Sequence, residues 1–124
     1  MSDQAPRLII AGPALRDIAA IVSWSVKHFG ERAALRYEDL ILQAMRDIAA
    51  DPERPGATER SDLMIEGART YHLSFSRMRA SEPRVRTPRH LLIYRSDPTG
   101  VIVVARVLHD SRDLARHLPA EYRR

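Results

Sequence analysis

Between His90 and His109 the chain runs as two apolar stretches around a turn, and no other stretch restricts the fold as tightly. His90-Leu91-Leu92-Ile93-Tyr94-Arg95 precedes Asp97-Pro98-Thr99-Gly100, and Val101 to His109 follows. Proline suits the first corner of a short hairpin loop, and glycine supplies its positive-φ position. The second run hardly alternates, so it predicts a strand covered on both faces, in the middle of a sheet. Its exit delivers Arg106, His109, Arg112 and Asp113 together.

Other elements follow from periodicity. Arg7 to Ala11 reads as an edge strand ending at Gly12-Pro13, with Gly12 at a helix N-cap and Pro13 at the first helical position. Leu15, Ile18, Val22 and Phe29, with Ile21, then mark the inner face of a first helix, and Arg16, Asp17, Ser23 and Lys27 its outer face. Gly30 ends it. Ala34, Tyr37, Ile41, Ala44 and Ile48, reinforced by Leu40 and Met45, mark a second helix that stops at Asp51-Pro52. So short a connection predicts a helical hairpin. Residues 52–67 read as loop. Arg69 to Phe75 alternates as a strand with Tyr71, Leu73 and Phe75 on one face. Arg77 to Arg89, with five arginines and two prolines, reads as a solvated basic connection, and Asp110 to Leu118 as a last short helix. The order β-α-α-β-β-β-α predicts an α+β fold, an antiparallel sheet packed against an N-terminal helical hairpin. A chain of 124 residues is expected to form a single domain over 1–124.

Composition narrows the chemistry. Without cysteine, disulfides, thiolate catalysis and zinc–sulfur sites are excluded. No carboxylate pair, metal-ligand cluster, phosphate-cradling glycine loop or nucleophile elbow is present, so neither metal nor cofactor is expected. No apolar run reaches the ~18 residues of a membrane span and no targeting segment is evident, so a cytoplasmic protein is expected. Charge is uneven: residues 1–66 hold 8 basic and 11 acidic side chains, residues 67–124 hold 12 and 5. Of the 20 basic residues only Lys27 is a lysine. Arginine offers a planar donor fork for carboxylates and phosphates, so the C-terminal half reads as a face for an acidic or polyanionic partner.

In this order, several pieces resemble the RelE/ParE family of type II toxin–antitoxin toxins, on its ParE-like branch. They are Ala14-Leu15-Arg16-Asp17-Ile18, His28-Phe29-Gly30, Ala34 and Tyr37, Asp51-Pro52 with Arg54-Pro55-Gly56, Gly67-Ala68-Arg69, His90 to Arg95, and Arg106-Val107-Leu108-His109-Asp110-Ser111-Arg112-Asp113. The resemblance runs from about residue 8 to 118. It implies a toxin that binds its target, DNA gyrase in ParE toxins, and is neutralised by a cognate, ParD-like antitoxin. The competing implication is a RelE-type mRNA endonuclease acting on the ribosome, with His109 moving a proton and Arg106 and Arg95 stabilising phosphorane charge. That branch places an aromatic residue shortly after the last strand; here Leu114 to Leu118 contains none before Tyr122. The Arg77–Arg89 connection is also longer than the family's turn.

Two sets of residues follow as expectations. Tyr94, Arg95, Arg106, His109, Arg112 and Asp113 are assigned to target binding and toxicity, with the long helix around Tyr37 and Glu38 as the alternative place. Trp24, Tyr37, Arg69, Tyr71 and Arg89 are assigned to antitoxin binding. A buried Tyr94 anchoring its hydroxyl, a core Trp24 and an Arg112–Asp113 pair are the structural alternatives.

Overall fold

The computed structural model describes residues 7–63 and 65–111. Strand β1 (Leu8–Ile10) leads into helix α1 (Gly12–Phe29) and helix α2 (Glu31–Ala50). A two-residue strand β2 (Thr58–Glu59) and strand β3 (Arg69–His72) follow, then a 3-10 segment (Leu73–Arg79). The long hairpin is β4 (His90–Ser96) and β5 (Ile102–His109). Its turn is held by Asp97, whose Oδ1 accepts the N–H groups of Thr99 and Val101, with Gly100 at φ +88°.

The sheet order is β1-β5-β4-β3-β2, so β5 has a neighbour on each side, as its apolar character requires. The α+β class and the helical hairpin are as expected. The sheet itself is mixed: β1 runs parallel to β5, pairing Leu8 to Ile10 with Ile102 to Val104, and the other pairs are antiparallel. Ladder direction lies between distant segments, where local pattern carries no information.

Both faces of the sheet are covered. On one, α2 packs Leu40, Ile41, Ala44, Met45 and Ile48 against Tyr71, Leu92, Tyr94, Val104 and Val107. On the other, Leu63, Ile65 and Ala68 from the segment before β3 lie on Ile93 and Leu108. The expected loop 52–67 therefore contributes a small second core.

Three expectations change. Ala11 rather than Gly12 is the N-cap of α1. On α1 the buried face is Ala14, Ile18, Ile21 and Ser25, while Asp17 turns inward and Leu15 and Phe29 turn outward. The third strand stops at His72, because its imidazole accepts the Ser74 N–H and bends the chain into the 3-10 segment, which leaves Phe75 exposed.

That bend is fixed by Asp47, only 2% exposed. Its carboxylate accepts the Ser76 hydroxyl at 2.6 Å, Gln43 Nε2 at 2.9 Å and Arg79 Nε at 2.9 Å, and the Tyr71 hydroxyl donates to Ser76. Burial pushes the Asp47 carboxyl up, but the bonds from Ser76, Gln43 and Arg79 outweigh it and hold it below its ordinary value. The expected solvated connection is thus partly a packed one. Ala80 and Val85 touch the main core, Arg77 donates to the Val85 carbonyl, and Arg84 pairs with Glu82. Gly56, at φ +100°, lies under the Phe75 ring, 2.6 Å from where a Cβ would stand.

Asp47→Ala is expected to lower the unfolding free energy by about 2–4 kcal/mol, since it strands buried donors. Gly56→Ala should cost about 1–3 kcal/mol through its backbone and the Phe75 clash. Urea unfolding followed by circular dichroism measures both.

Candidate functional site

At one end of the sheet the last residue of β3, the first of β4 and the last of β5 are all histidines. His90 stands opposite His109 in the ladder, their rings edge-on at 5.3 Å. His72 Nε2 donates to Asp110 Oδ2 at 3.0 Å, and Arg89 holds the same carboxylate. The bond from Arg89, then that from His72, pulls the Asp110 carboxyl down to about 2. The Asp110 N–H also donates to the Arg89 carbonyl, so the chain leaving β5 is tied to the chain entering β4.

From above, α2 supplies Tyr37. Its hydroxyl accepts the Arg89 N–H at 3.0 Å and lies 2.6 Å from His90 Nδ1. At that distance the hydroxyl is placed to donate its proton to Nδ1, the arrangement of a neutral His90 imidazole with its hydrogen on Nε2. Burial, then the nearby His109, pushes His90 down to about 4. His109 Nδ1 accepts the Ser111 N–H at 3.1 Å, so its neutral form likewise carries hydrogen on Nε2.

Next to the histidines, α1 meets β5. Arg106 grips Asp17 in a fork, Nε to Oδ2 at 2.6 Å and Nη2 to Oδ1 at 2.8 Å, and the Val107 N–H donates to the same Oδ2 at 2.9 Å. A shallow cleft of about 170 Å³ opens here, walled by Ala20, Ile21, His90 and His109 over the Asp17–Arg106 pair. Among the described residues no three His, Asp or Glu side chains are arranged to hold a metal ion.

The expected site residues separate accordingly. Arg106 and His109 come together at this cleft with Tyr37 and Arg89 close by. Arg95 lies at the other end of β4, partly buried. Tyr94 and Tyr71 are core residues. The Tyr94 hydroxyl donates to the Pro52 carbonyl, and burial pushes it up to about 12. Arg69 pairs with Glu53 and Glu59. Arg112, Asp113 and the expected last helix fall outside the described residues. Sequence reasoning passed over Asp17, His72 and His90; the strand-end positions of the two histidines were the available signal.

A second feature occupies the outside of the helical hairpin. Leu15, Ala19, Val22, Val26 and Phe29 recur at spacings of four and three along α1, and all but the half-buried Val22 are exposed. Leu35 and Leu42, one heptad apart on α2, are exposed too. Trp24 is 53% exposed and stacks on His28 at 4.0 Å, so it is not a core residue. Such a stripe is what a partner helix packs against.

His90 sets a pH dependence. Unfolded, it takes up a proton near ~6.5; folded, only near about 4. The unfolded chain therefore binds more protons between these values, and stability falls as pH drops through that window, by at most about 1.4 kcal/mol per pH unit. In His90→Gln, which keeps an acceptor for Tyr37, that contribution is expected to disappear from urea titrations between pH 6.5 and about 5, above the range in which Asp47 and Asp110 add a slope of their own.

Comparison with known proteins agrees with this architecture. No curated protein matches the sequence. Among solved structures, a chain of the chromosomal ParDE toxin–antitoxin system from P. aeruginosa superposes with a TM-score of 0.63 at 15% identity, covering 85% of this chain and 96% of that one. At that identity the likeness is one of fold. The sequence also matches the family described as ParE toxin of type II toxin-antitoxin system, parDE, over residues 8–114. The chain belongs to the ParE toxin family.

Proposed function

We propose that this protein arrests growth by binding DNA gyrase and is held inactive by a cognate ParD-like antitoxin that folds along its helical hairpin. The gyrase assignment rests on membership of the ParE toxin family. The observation that carries the antitoxin assignment is the exposed stripe of α1 with Leu35 and Leu42 of α2, an apolar surface on an otherwise polar hairpin. Along the hairpin Arg16, Lys27, Arg32 and Arg36 are exposed against one exposed carboxylate, Glu31, while Asp17 and Asp47 are turned inward onto Arg106 and onto Ser76 and Arg79. The rim is therefore basic and favours an acidic amphipathic helix, whose ordering on binding offsets its entropy through many contacts.

His109 and Arg106 at the cleft, together with Arg112 further along the chain, are the proposed toxic residues. No described helix is long and apolar enough to cross a membrane.

Expression without antitoxin is expected to stop DNA synthesis before protein synthesis, and the purified protein to inhibit gyrase supercoiling. Early loss of translation with transcripts cut at ribosome-bound codons would instead establish the endonuclease reading. His109→Ala and Arg112→Ala should abolish toxicity while retaining antitoxin binding. Leu35→Arg and Phe29→Asp are expected to weaken antitoxin binding at least about tenfold in titration calorimetry.

A further inference from the structure

Two strand ends carry the same short motif. His72-Leu73-Ser74 closes β3 and His109-Asp110-Ser111 closes β5. In each, the imidazole Nδ1 accepts the N–H of the serine two residues on, at 3.1 Å. The serine hydroxyl lies beside the same nitrogen, at 2.8 Å in the first motif and 2.7 Å in the second. A backbone N–H can only donate, so Nδ1 carries the lone pair and the uncharged ring keeps its hydrogen on Nε2. In the first motif that hydrogen has a partner inside the molecule, Asp110 Oδ2 at 3.0 Å. In the second, among the described residues, the ring bonds only through Nδ1. The His109 side chain is 37% exposed at the cleft wall, and its ring packs edge-on with His90 at 5.3 Å.

We propose that His109 is a fixed hydrogen-bond donor that grips a side-chain carboxylate of the toxin's target, as His72 grips Asp110, and that it moves no proton. The inference rests on the reading of His109 as a toxic residue and supplies the chemistry of its contact. The partner group must be an acceptor, because Nε2–H has no lone pair to offer. An ionised acceptor makes the stronger bond with such a donor. Two observations favour a carboxylate over a phosphodiester. Arg89 and Arg106, the cations bordering the site, already hold Asp110 and Asp17, whereas a nucleic-acid backbone is bound through cations. The same two pairs neutralise those aspartates, so neither repels an incoming carboxylate. Proton transfer conflicts with the Ser111 contact. A base at Nε2 would need its hydrogen on Nδ1, and an acid would need both nitrogens protonated, yet the Ser111 N–H points at Nδ1.

The test uses the full chain. Growth arrest on expression without antitoxin, and affinity for gyrase, are compared for wild type, His109→Ala, His109→Asn and His109→Gln. A glutamine amide puts an N–H donor where Nε2 stands, an asparagine amide only where Nδ1 stands. His109→Gln is expected to recover at least about tenfold of the affinity that His109→Ala loses, with His109→Asn as weak as His109→Ala. One Asp→Asn or Glu→Gln change among the exposed carboxylates of gyrase should weaken binding to wild type at least about tenfold but not binding to His109→Ala. Nitrogen-15 spectra of the uncharged rings should place the hydrogen on Nε2 in both His72 and His109. Equal loss in His109→Gln and His109→Ala, in growth arrest and in affinity, overturns the fixed donor, as does hydrogen on Nδ1 of His109. Recovery by His109→Gln with no gyrase carboxylate coupled to His109 overturns the carboxylate. RNA cut by the wild type and by none of the His109 variants overturns the proposal in favour of proton transfer. A wild-type chain that arrests growth without binding gyrase overturns the gyrase reading alone; recovery of growth arrest by His109→Gln then still supports the donor, and its failure overturns it.

Discussion

A single carboxylate holds the two layers of this protein in register. Asp17, one and a half turns into α1, accepts the Arg106 fork and the Val107 N–H, so it fastens the helix to β5 where β1 has ended. An unpaired edge N–H at that point would face an apolar helix, and a lone buried aspartate would be costly. Each removes the other's penalty. The path of α1 over the sheet and the cleft beside it depend on this contact. Because the pair is largely buried and bidentate, it belongs with charge-assisted hydrogen bonds worth about 1.5–3 kcal/mol rather than with surface ion pairs.

The charge of the chain is redistributed by folding. Counted along the sequence, the C-terminal half carries the positive excess. In the fold Arg77, Arg79, Arg84, Arg89 and Arg106 donate to the Val85 carbonyl, Asp47, Glu82, Asp110 and Asp17. The first four secure the long connection before β4, and Arg106 ties β5 to α1. The hairpin, formally balanced, turns two of its aspartates inward and so presents cations outside. A basic face exists, but its place follows from which carboxylates are consumed, not from where arginines are dense.

Much of the fold was legible because it is local. The β4–β5 hairpin, the Gly30 break and the Asp51-Pro52 stop each rest on a few adjacent residues whose backbone preferences agree. On α2 the apolar positions form one stripe and identify the buried face, though not the inward Asp47. On α1 two apolar stripes coexist, Ala14-Ile18-Ile21 and Leu15-Val22-Phe29, and periodicity cannot choose between them. The smaller residues won because Asp17 must reach β5. Of the site, Arg106 and His109 were found from their place at a strand end. Tyr71 and Tyr94 read from the sequence as contact residues, yet their hydroxyls reach partners inside, Ser76 and the Pro52 carbonyl, so they pack as core. The histidine end escaped notice because its members come from three strands and meet only in the sheet.

The central claim is that Asp17 joins helix and sheet through one shared contact, and a double-mutant cycle with Asp17→Asn and Arg106→Gln tests it most directly. Unfolding free energies of the wild type, both single variants and the double variant give the coupling between the side chains. A coupling of at least about 1 kcal/mol is predicted, with the double variant little worse than Asp17→Asn alone. Additivity within about 0.5 kcal/mol would contradict the account.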